Sequence, residues 1–261
     1  MTEHDRGQVD TSAAEVYDSL FVPALFGRFA ERLAEFANPG SSESIIDIAC
    51  GTGALTRALR RRTDGRVVGV DINPAMIAVA ERHGGDIEYD QADAVALPFN
   101  DGEFEVATCQ YGLMFYPDPS AAVAEMARVA ARGLVAVWDS IDRSAGYYAM
   151  QELFRDELGE DAAASLDAPF AMGTSGALEG VLAATDVGSA DLSSIEGTGR
   201  FDSIEQWVTT EVRGWTLGES ISEQQLADLI AVAEERLASF ATPDGCTFGI
   251  TTKVVTWPGT R

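Results

Sequence analysis

The chain has 261 residues, 46% of them hydrophobic, which suits one large globular domain or a domain that carries a cap. Its formal net charge of −24 would repel a phosphate backbone over most of the surface, so we expect a small-molecule substrate and no nucleic acid. No apolar run is long enough to cross a bilayer, and the first residues lack the order of a signal peptide. We therefore expect a cytoplasmic protein without a membrane span.

Metal and disulfide chemistry have few residues to build on. Cys50, Cys109 and Cys246 are widely spaced, which indicates buried thiols rather than a disulfide framework or a metal site of paired cysteines. His4 and His83 are the only histidines. The sequence therefore predicts no metal centre.

In the first half of the chain, strands and helices alternate. Apolar residues at helical spacing first predict two helices over 12–36, broken at Pro23. The elements predicted after them are strands over 44–48, 66–71, 86–89, 104–110 and 134–138, and helices over 54–62, from Pro74 after an Asn73 N-cap, and over 120–131. Five strands separated by helices indicate an α/β fold with a doubly wound, mostly parallel sheet.

The alternation stops at Asp139. The elements predicted beyond it are a helix over 147–158, a strand over 190–195, helices over 204–217 and 223–240, and a strand over 247–257, which makes seven strands in all. The predicted divisions are an N-terminal helical cap (1–40), a Rossmann-like cofactor-binding core (41–139), a lid that selects the substrate (140–189) and the C-terminal part of the core (190–261).

The most informative stretch is Ile45 to Arg57, where an apolar strand passes through a small-residue turn into a helix. Gly51 and Gly53 have no Cβ, so the main chain can turn tightly there. Its N–H groups can then meet ligand oxygens at a helix N-terminus, where the helix dipole is positive. This pattern predicts a cofactor cradle.

Two acidic residues follow the next strands and point to a nucleoside. Asp71 ends the second strand, where a carboxylate can accept hydrogen bonds from both hydroxyls of a ribose. Asp93 follows the third strand and is placed to bind an exocyclic adenine amino group, while Ile72 and Met76 can sandwich the base. Each feature has a structural alternative, such as a helix cap or ordinary core, but their order along one β/α succession indicates a cofactor that contains adenosine.

With these motifs the chain resembles the class I S-adenosylmethionine-dependent methyltransferases, in particular the small-molecule branch that includes the ubiquinone and menaquinone biosynthesis methyltransferases. The resemblance runs from about Tyr17 to Trp138, and Ala49 stands where many members have glycine. The matching motifs are Asp47–Gly53, Val70–Met76, Asp93–Phe99, Cys109–Asp118 and Glu125–Val129.

The resemblance implies a Rossmann-like methyltransferase fold with S-adenosylmethionine as cofactor and S-adenosylhomocysteine as product. It implies methyl transfer to a small molecule, with Gln110 beside the sulfonium and Tyr17 near the methionine carboxylate. The cofactor-binding residues that we expect are Tyr17, Asp47, Ala49, Gly51, Thr52, Gly53, Asp71, Ile72, Met76, Asp93, Ala94 and Gln110.

In-line methyl transfer requires alignment of the reactants and exclusion of water more than a catalytic triad. A general base, if one is needed, would come from Asp139, Asp142, Tyr147 or Tyr111, and the sequence does not decide among them. The residues that could line an apolar acceptor pocket are Tyr111, Met114, Phe115, Tyr116, Trp138, Tyr147 and Tyr148. The acceptor, the atom that is methylated and the oligomeric state stay undetermined.

Two other functions are compatible with parts of this pattern. Ala49, Gly51 and Ala54 followed by Asp71 loosely match a dinucleotide fingerprint, which would suit a nucleotide-dependent oxidoreductase. The chain has no Tyr-x-x-x-Lys pair to support that chemistry. A methyltransferase-like domain that binds the cofactor without transferring its methyl group would keep the same cofactor residues.

Overall fold

Eight strands form one sheet in the part of the chain that the computed structural model describes, residues 11–187, 189–214 and 221–258. The strands are β1 (Ile45–Ile48), β2 (Val67–Asp71), β3 (Glu88–Gln91), β4 (Phe104–Gln110), β5 (Ala130–Trp138), β6 (Asp191–Phe201), β7 (Ala241–Thr242) and β8 (Gly245–Trp257). Their order is β3-β2-β1-β4-β5-β8-β6, with the short β7 beside β8. The first five are parallel, and β8 is antiparallel to β5, β6 and β7, which confirms the predicted mostly parallel sheet.

Helices cover both faces of this sheet. They are α1 (Thr11–Val16), α2 (Gly27–Ala37), α3 (Ala54–Arg60), α4 (Pro74–Arg82), α5 (Pro119–Val129), α6 (Ala145–Leu158), α7 (Glu160–Ser165), α8 (Ala177–Ala183), α9 (Ile204–Arg213) and α10 (Glu223–Arg236). A short 3₁₀ helix, Ala168–Gly173, is called the roof segment below. None of the described helices combines the length and the apolarity that a membrane span requires.

The region before β1 differs from its prediction. The chain does not break at Pro23 but continues as a π-helical segment, Tyr17–Phe26, that joins α1 to α2. At its end the N–H of Gly27 donates to the carbonyl of Val22, five residues back, so the wider turn accommodates a residue that lacks an N–H. Phe21 within this segment is fully buried, so the N-terminal region also supplies part of the core.

Several other boundaries differ from their predictions. The helix predicted over 120–131 ends at Val129, and the strand predicted over 134–138 already begins at Ala130. Because Glu88 pairs with Val68, the third strand begins at residue 88 rather than 86. The predicted strand 190–195 continues to Phe201, since it pairs with β8 along its whole length. The helix predicted over 204–217 ends at Arg213, and residues 215–217 lie outside the described ranges.

The edge strand β6 is held against α2. The guanidinium of Arg28 donates to the carbonyl of Thr198 at 3.2 Å, and that of Arg32 donates to the carbonyl of Glu196. Between them, a Cβ on Gly197 would lie 2.3 Å from the ring of Phe29, so only glycine allows the helix to approach this closely. Side chains of α2 therefore engage main-chain acceptors of the outermost strand.

Because β1 to β5 are parallel, their carboxyl ends meet at one edge of the sheet, and ligands of such sheets bind there. Asp71 and Gln110 are the last residues of β2 and β4, and Trp138 is the last residue of β5. The turn after β1 lies between them in the sheet order. The fold thus brings the sequence motifs together.

Candidate functional site

A cavity of about 270 Å³ lies at this edge of the sheet. Its lining contains two sets of residues, and we refer to them as the two halves of the cavity. The glycine-turn half is lined from the ends of β1 to β3 by Ala49, Gly51, Asp71, Ile72, Met76, Asp93 and Ala94. The aromatic half is lined by Phe26, Tyr111, Met114, Phe115, Tyr116, Trp138 and Pro169. The cavity therefore offers hydrogen-bonding groups in one half and mostly apolar surface in the other.

The turn after β1 owes its shape to left-handed backbone conformations. Ala49 has φ 53°, Gly51 φ 55° and Gly53 φ 80°. Any other residue at position 53 would have to adopt this left-handed conformation and displace the side chain of Tyr89, whose hydroxyl oxygen would lie 2.4 Å from the added Cβ. Ala49 adopts a conformation that non-glycine residues rarely take.

Asp71 links this turn to the start of the following helix. Its carboxylate oxygens accept hydrogen bonds from the N–H of Gly51 and the N–H of Asn73, each at 2.9 Å. Burial raises the pKa of the Asp71 carboxyl, and these two backbone donors oppose the rise. Since a carboxylate offers about four acceptor sites, it keeps capacity for a ligand diol.

Asp47 lies beneath the turn instead of in the main cavity. Its side chain, which is 1% exposed, accepts hydrogen bonds from the hydroxyls of Thr56 at 2.6 Å and Thr108 at 2.7 Å. Burial raises its pKa to about 6, and the two threonine hydroxyls oppose this. Asp47 and Thr52 line a second cavity of about 20 Å³. The buried hydroxyl of Thr52 has no hydrogen-bond partner among the residues that the structure describes.

The main cavity therefore gathers nine of the twelve residues expected to bind the cofactor. They are Tyr17, Ala49, Gly51, Asp71, Ile72, Met76, Asp93, Ala94 and Gln110. The other three, Asp47, Thr52 and Gly53, form or support the turn from below. The structure thus separates residues that face a ligand from residues that shape the backbone around it.

Tyr17 and Gln110 join the N-terminal region to the strand ends. The amide nitrogen of Gln110 donates to the carbonyl of Phe26 at 2.9 Å, and the rings of Tyr17 and Phe26 stack with centroids 4.9 Å apart. Burial raises the pKa of the Tyr17 hydroxyl far above its ordinary value, so this group stays protonated. The N-terminal region consequently forms one wall of the cavity.

Of the candidate bases, the structure brings only Tyr111 to the lining of the cavity among the residues it describes. Its hydroxyl is bound to Thr252 Oγ1 at 2.6 Å, and its ring stacks on Trp138 at 3.7 Å between centroids. Burial raises the pKa of the Tyr111 hydroxyl well above its usual range. The face that Tyr111 offers a ligand is therefore its ring rather than a free hydroxyl.

The other candidate bases lie elsewhere. The hydroxyl of Tyr147 donates to Glu211 Oε1 at 2.7 Å within the core, so Tyr147 does not reach the cavity as the sequence suggested. Asp139 lies 3.2 Å from the ammonium of Lys253 and likewise does not line the cavity. Asp142 is exposed in a short 3₁₀ helix. Tyr148, predicted for the acceptor pocket, points to solvent.

Sequence reasoning missed several lining residues, and two of them, Phe26 and Pro169, lie outside every motif that the sequence offered. Phe26 stands in an apolar run that looks like ordinary core, and the π-helical geometry that turns it to the cavity leaves no signature in the sequence. Pro169 comes from the roof segment, which has no regular spacing of apolar residues. Neither position carries a signal that could have identified it.

Comparisons with known proteins agree with this geometry. Residues 46–137 match the family model described as a methyltransferase domain. The demethylmenaquinone methyltransferase of Thermus thermophilus is 38% identical over 125 residues, 45% of this chain and 57% of that protein. The 2-phytyl-1,4-naphtoquinone methyltransferase of Thermosynechococcus vestitus is 36% identical over 128 residues, 46% of this chain and 57% of that protein. The chain thus matches little more than half the length of these relatives.

The likeness of the fold extends further than the likeness of the sequence. The crystal structure of the YcgJ protein from Bacillus subtilis superposes with a TM-score of 0.59 at 16% identity and covers 89% of this chain and 98% of that one. The glycine turn, Asp71 and Asp93 all lie within residues 46–137, the range that the family model matches. Residues 46–137 therefore match a methyltransferase domain, and the chain resembles the class I S-adenosylmethionine-dependent methyltransferases, in particular the ubiquinone and menaquinone methyltransferases.

Proposed function

We propose that the protein transfers a methyl group from S-adenosylmethionine to a small, uncharged, apolar acceptor and releases S-adenosylhomocysteine. The observation that carries this proposal is a single cavity in which a nucleoside-type site adjoins an aromatic compartment. Gly51 and Asp71 line the first half, and Met114 and Trp138 line the second. One ligand in each half would bring a donor and an acceptor side by side.

The residues of the glycine-turn half suit the cofactor. The carboxylate of Asp71 would accept hydrogen bonds from the ribose hydroxyls. Asp93 and Ala94 would contact the adenine, and Ile72 and Met76 would pack on its two faces. Gly51 supports this fit because a Cβ built there approaches nothing nearer than the ring of Tyr17 at 3.8 Å, which leaves the turn open toward the cavity. When bound, the sulfonium supplies the activated methyl group.

The protein's own contribution is to align the two ligands and to keep water out. The N-terminal region closes one side through Tyr17 and Phe26, and the roof segment contributes Pro169. We propose that these two elements, the N-terminal cap and the lid of residues 140–189, act together over the acceptor. The hydroxyl of Tyr111 is bound to Thr252 and its pKa is raised by burial, so Tyr111 is poorly suited to removing a proton from the acceptor.

The charges of the cavity-lining residues further narrow the chemical class of the acceptor. Among the described lining residues the ionisable acidic groups are Asp71, Asp93 and Asp118, and none of these lining residues is Lys, Arg or His. Together with the net charge of −24, this field disfavours a carboxylated or phosphorylated acceptor. The two relatives named above are quinone methyltransferases, which supports a ring of hydroquinone type.

Parallel calorimetric titrations with S-adenosylmethionine, S-adenosylhomocysteine and NAD test the cofactor. We expect micromolar binding of the first two and no heat from NAD. Binding of NAD alone would replace the proposal with the oxidoreductase alternative.

A matched pair of acceptors tests the chemistry. Formation of S-adenosylhomocysteine is followed with 1,4-dihydroxynaphthalene and with its 2-carboxylate. We expect turnover with the neutral ring and much less with the carboxylate, because the acidic lining repels the anion. Background product with both rings, in a protein that binds the cofactor, would contradict methyl transfer to this class and favour a domain that binds without transferring.

A further inference from the structure

Lys253 stands out because it is the only lysine, every other member of the 18 Lys and Arg residues being arginine. It lies in β8 directly opposite Val137 of β5, and its side chain is only 18% exposed. A charged group is seldom withdrawn from water in the middle of a sheet unless it is paired. The partners of this ammonium therefore indicate what it does.

Those partners belong to two separate pieces of backbone. The Lys253 ammonium donates to the carbonyl of Gly173 at 2.7 Å and lies 3.2 Å from Asp139 Oδ1. Asp139, 12% exposed, also accepts from the N–H of Ser140 at 2.9 Å. The ammonium thus joins the end of the roof segment to the end of β5.

The two joined pieces are in close contact. A Cβ on Gly173 would lie 2.3 Å from the carbonyl oxygen of Trp138, so the roof segment reaches the main chain of β5 only because residue 173 is glycine. A compact ammonium with three donors suits such a narrow space better than the broad, planar guanidinium fork of arginine. This explains why a lysine stands at this position in a chain that otherwise uses arginine.

Both pieces also border the aromatic half of the cavity. Trp138, which lines that half, immediately precedes Asp139, and Pro169 of the roof segment lies on the same side. The glycine-turn half is built from β1 to β3, at the other end of the sheet order. A change at Lys253 should therefore reach the acceptor compartment and spare the cofactor site.

We infer that Lys253 is a positioning residue for the methyl acceptor: its ammonium fixes the roof segment against the end of β5 and so sets the width of the aromatic half. Lys253 touches neither ligand and acts through Gly173 and Asp139. The inference rests on the proposed function for the identity of the acceptor, but the mechanical link between the two segments can be measured without it.

The first test compares Lys253→Met with Arg236→Met in the full-length protein. Met keeps most of the lysine stem without its charge, and Arg236 forms a more exposed ion pair with Asp156 at 2.8 Å outside the cavity lining. For Lys253→Met we expect KM for 1,4-dihydroxynaphthalene to rise by about tenfold, as for a lost hydrogen bond to a charged group, with kcat and the Kd of S-adenosylhomocysteine within about twofold. Arg236→Met should leave all three unchanged.

Hydrogen–deuterium exchange gives a readout that does not depend on catalysis. In Lys253→Met, the amides of residues 168 and 170–173 should exchange at least about tenfold faster than in the wild type, while those of β1 and β2 keep their protection. Equal exchange in the two proteins would overturn the inference. If the wild type neither bound the cofactor nor turned over, the proposed function would fail while the exchange comparison still decided the role of Lys253.

Asp139→Asn separates positioning from direct catalysis. The amide oxygen can still accept from Ser140, but the ammonium loses its anionic partner, so we expect a smaller rise in KM than in Lys253→Met and an unchanged pH profile of kcat. A collapse of kcat at constant KM would instead make Asp139 the general base. A uniform loss of cofactor affinity, acceptor affinity and thermal stability in Lys253→Met would show a general structural role and would also overturn the inference.

Discussion

Asp47 in β1 and Asp71 at the end of β2 have opposite surroundings although each accepts two hydrogen bonds. The oxygens of Asp71 are bound by backbone N–H groups at the cavity surface, whereas those of Asp47 are bound by threonine hydroxyls beneath the turn. Only Asp71 faces the main cavity. Substitutions at the two positions should therefore affect different properties.

For Asp71→Ala we expect the affinity for S-adenosylhomocysteine to fall by about 1 to 3 kcal/mol, because charged hydrogen bonds to the ribose are lost and the N–H of Gly51 is left without its acceptor. Titration calorimetry measures the change, and circular dichroism verifies the fold. Asp64→Ala, at an exposed aspartate that does not line the cavity, removes the same charge and serves as the control. Unchanged affinity in a folded Asp71→Ala protein would remove Asp71 from the site.

The effect of Asp47→Asn on the free energy of unfolding should depend on pH. The pKa of the folded carboxyl is raised from 3.8 to about 6, so the folded state binds the proton more tightly than the unfolded state. The stability that this provides is complete below the unfolded pKa and disappears as the pH rises through about 6. The free energy of unfolding of the wild type, relative to Asp47→Asn, should therefore be greater at pH 5 than at pH 7 by about 1 kcal/mol. Urea denaturation at both pH values checks this, and a difference that does not vary with pH would contradict it.

At single positions, sequence reasoning worked best where a residue's role follows from its place at a strand end. Asp71, Asp93 and Gln110 line the cavity because parallel strands deliver their last residues to one edge. Tyr147 shows the limit of this reasoning. It was a candidate because of its chemistry, but its hydroxyl is bound to Glu211, a partner from a distant helix that no local pattern announces. Their roles in catalysis and binding stay predictions.

Among the elements, the N-terminal helical region borders the cavity and also supplies part of the core. Its first turns pack Ala14 against Met76 and Val79, next to the cavity. Further along, Phe29 and Leu33 are fully buried beneath the sheet edge. Two truncations should therefore behave differently.

Deletion of residues 1–16 should leave a folded protein with weaker cofactor binding, by about tenfold, because Met76 and Val79 lose their cover. Deletion of residues 1–37 should abolish cooperative unfolding, since each large buried side chain lost costs about 2 to 5 kcal/mol and the whole domain has only about 5 to 15. Thermal melts followed by circular dichroism distinguish the two. A cooperative melt of the longer deletion would show that the region is only a cap.

Regular elements were predictable wherever local pattern and packing agree. The N-cap at Asn73 is confirmed, since its side chain accepts from the N–H of Ala75 at 2.9 Å and Pro74 begins the helix. The break expected at Pro23 was wrong, because a π-helical segment satisfies the surrounding groups without a break. The position of the roof segment depends on Lys253 and Gly173, which are far apart in sequence, so spacing could not have indicated it.

The whole molecule carries 42 acidic and 18 basic residues. Exposed ion pairs contribute about 0 to 1 kcal/mol each, so the repulsion among the excess carboxylates should dominate the response to salt. We expect the Tm to rise by several degrees between low salt and about 1 M NaCl, where the Debye length falls to about 3 Å. KCl should act equally, because the effect is one of screening. A Tm that falls with both salts would mean that the ion pairs outweigh the repulsion.

The parallel order of β1 to β5 and the position of the cavity follow from the alternation of strands and helices, and both were predictable at this scale. The division into cap, core, lid and C-terminal part remains a proposal. The packing of α2 against β6 was not predictable, because it depends on a helix and a strand from opposite ends of the chain.

That packing also bears on aggregation. An outermost strand of 11 residues is a template on which strands of other molecules can assemble, but here Arg28 and Arg32 already engage the carbonyls of Thr198 and Glu196. Guanidinium groups stay protonated throughout the pH range of living cells. The hindrance to intermolecular β-sheet growth along this stretch should therefore persist when the cell acidifies, even as carboxylates gain protons and the mutual repulsion that keeps the molecules apart weakens.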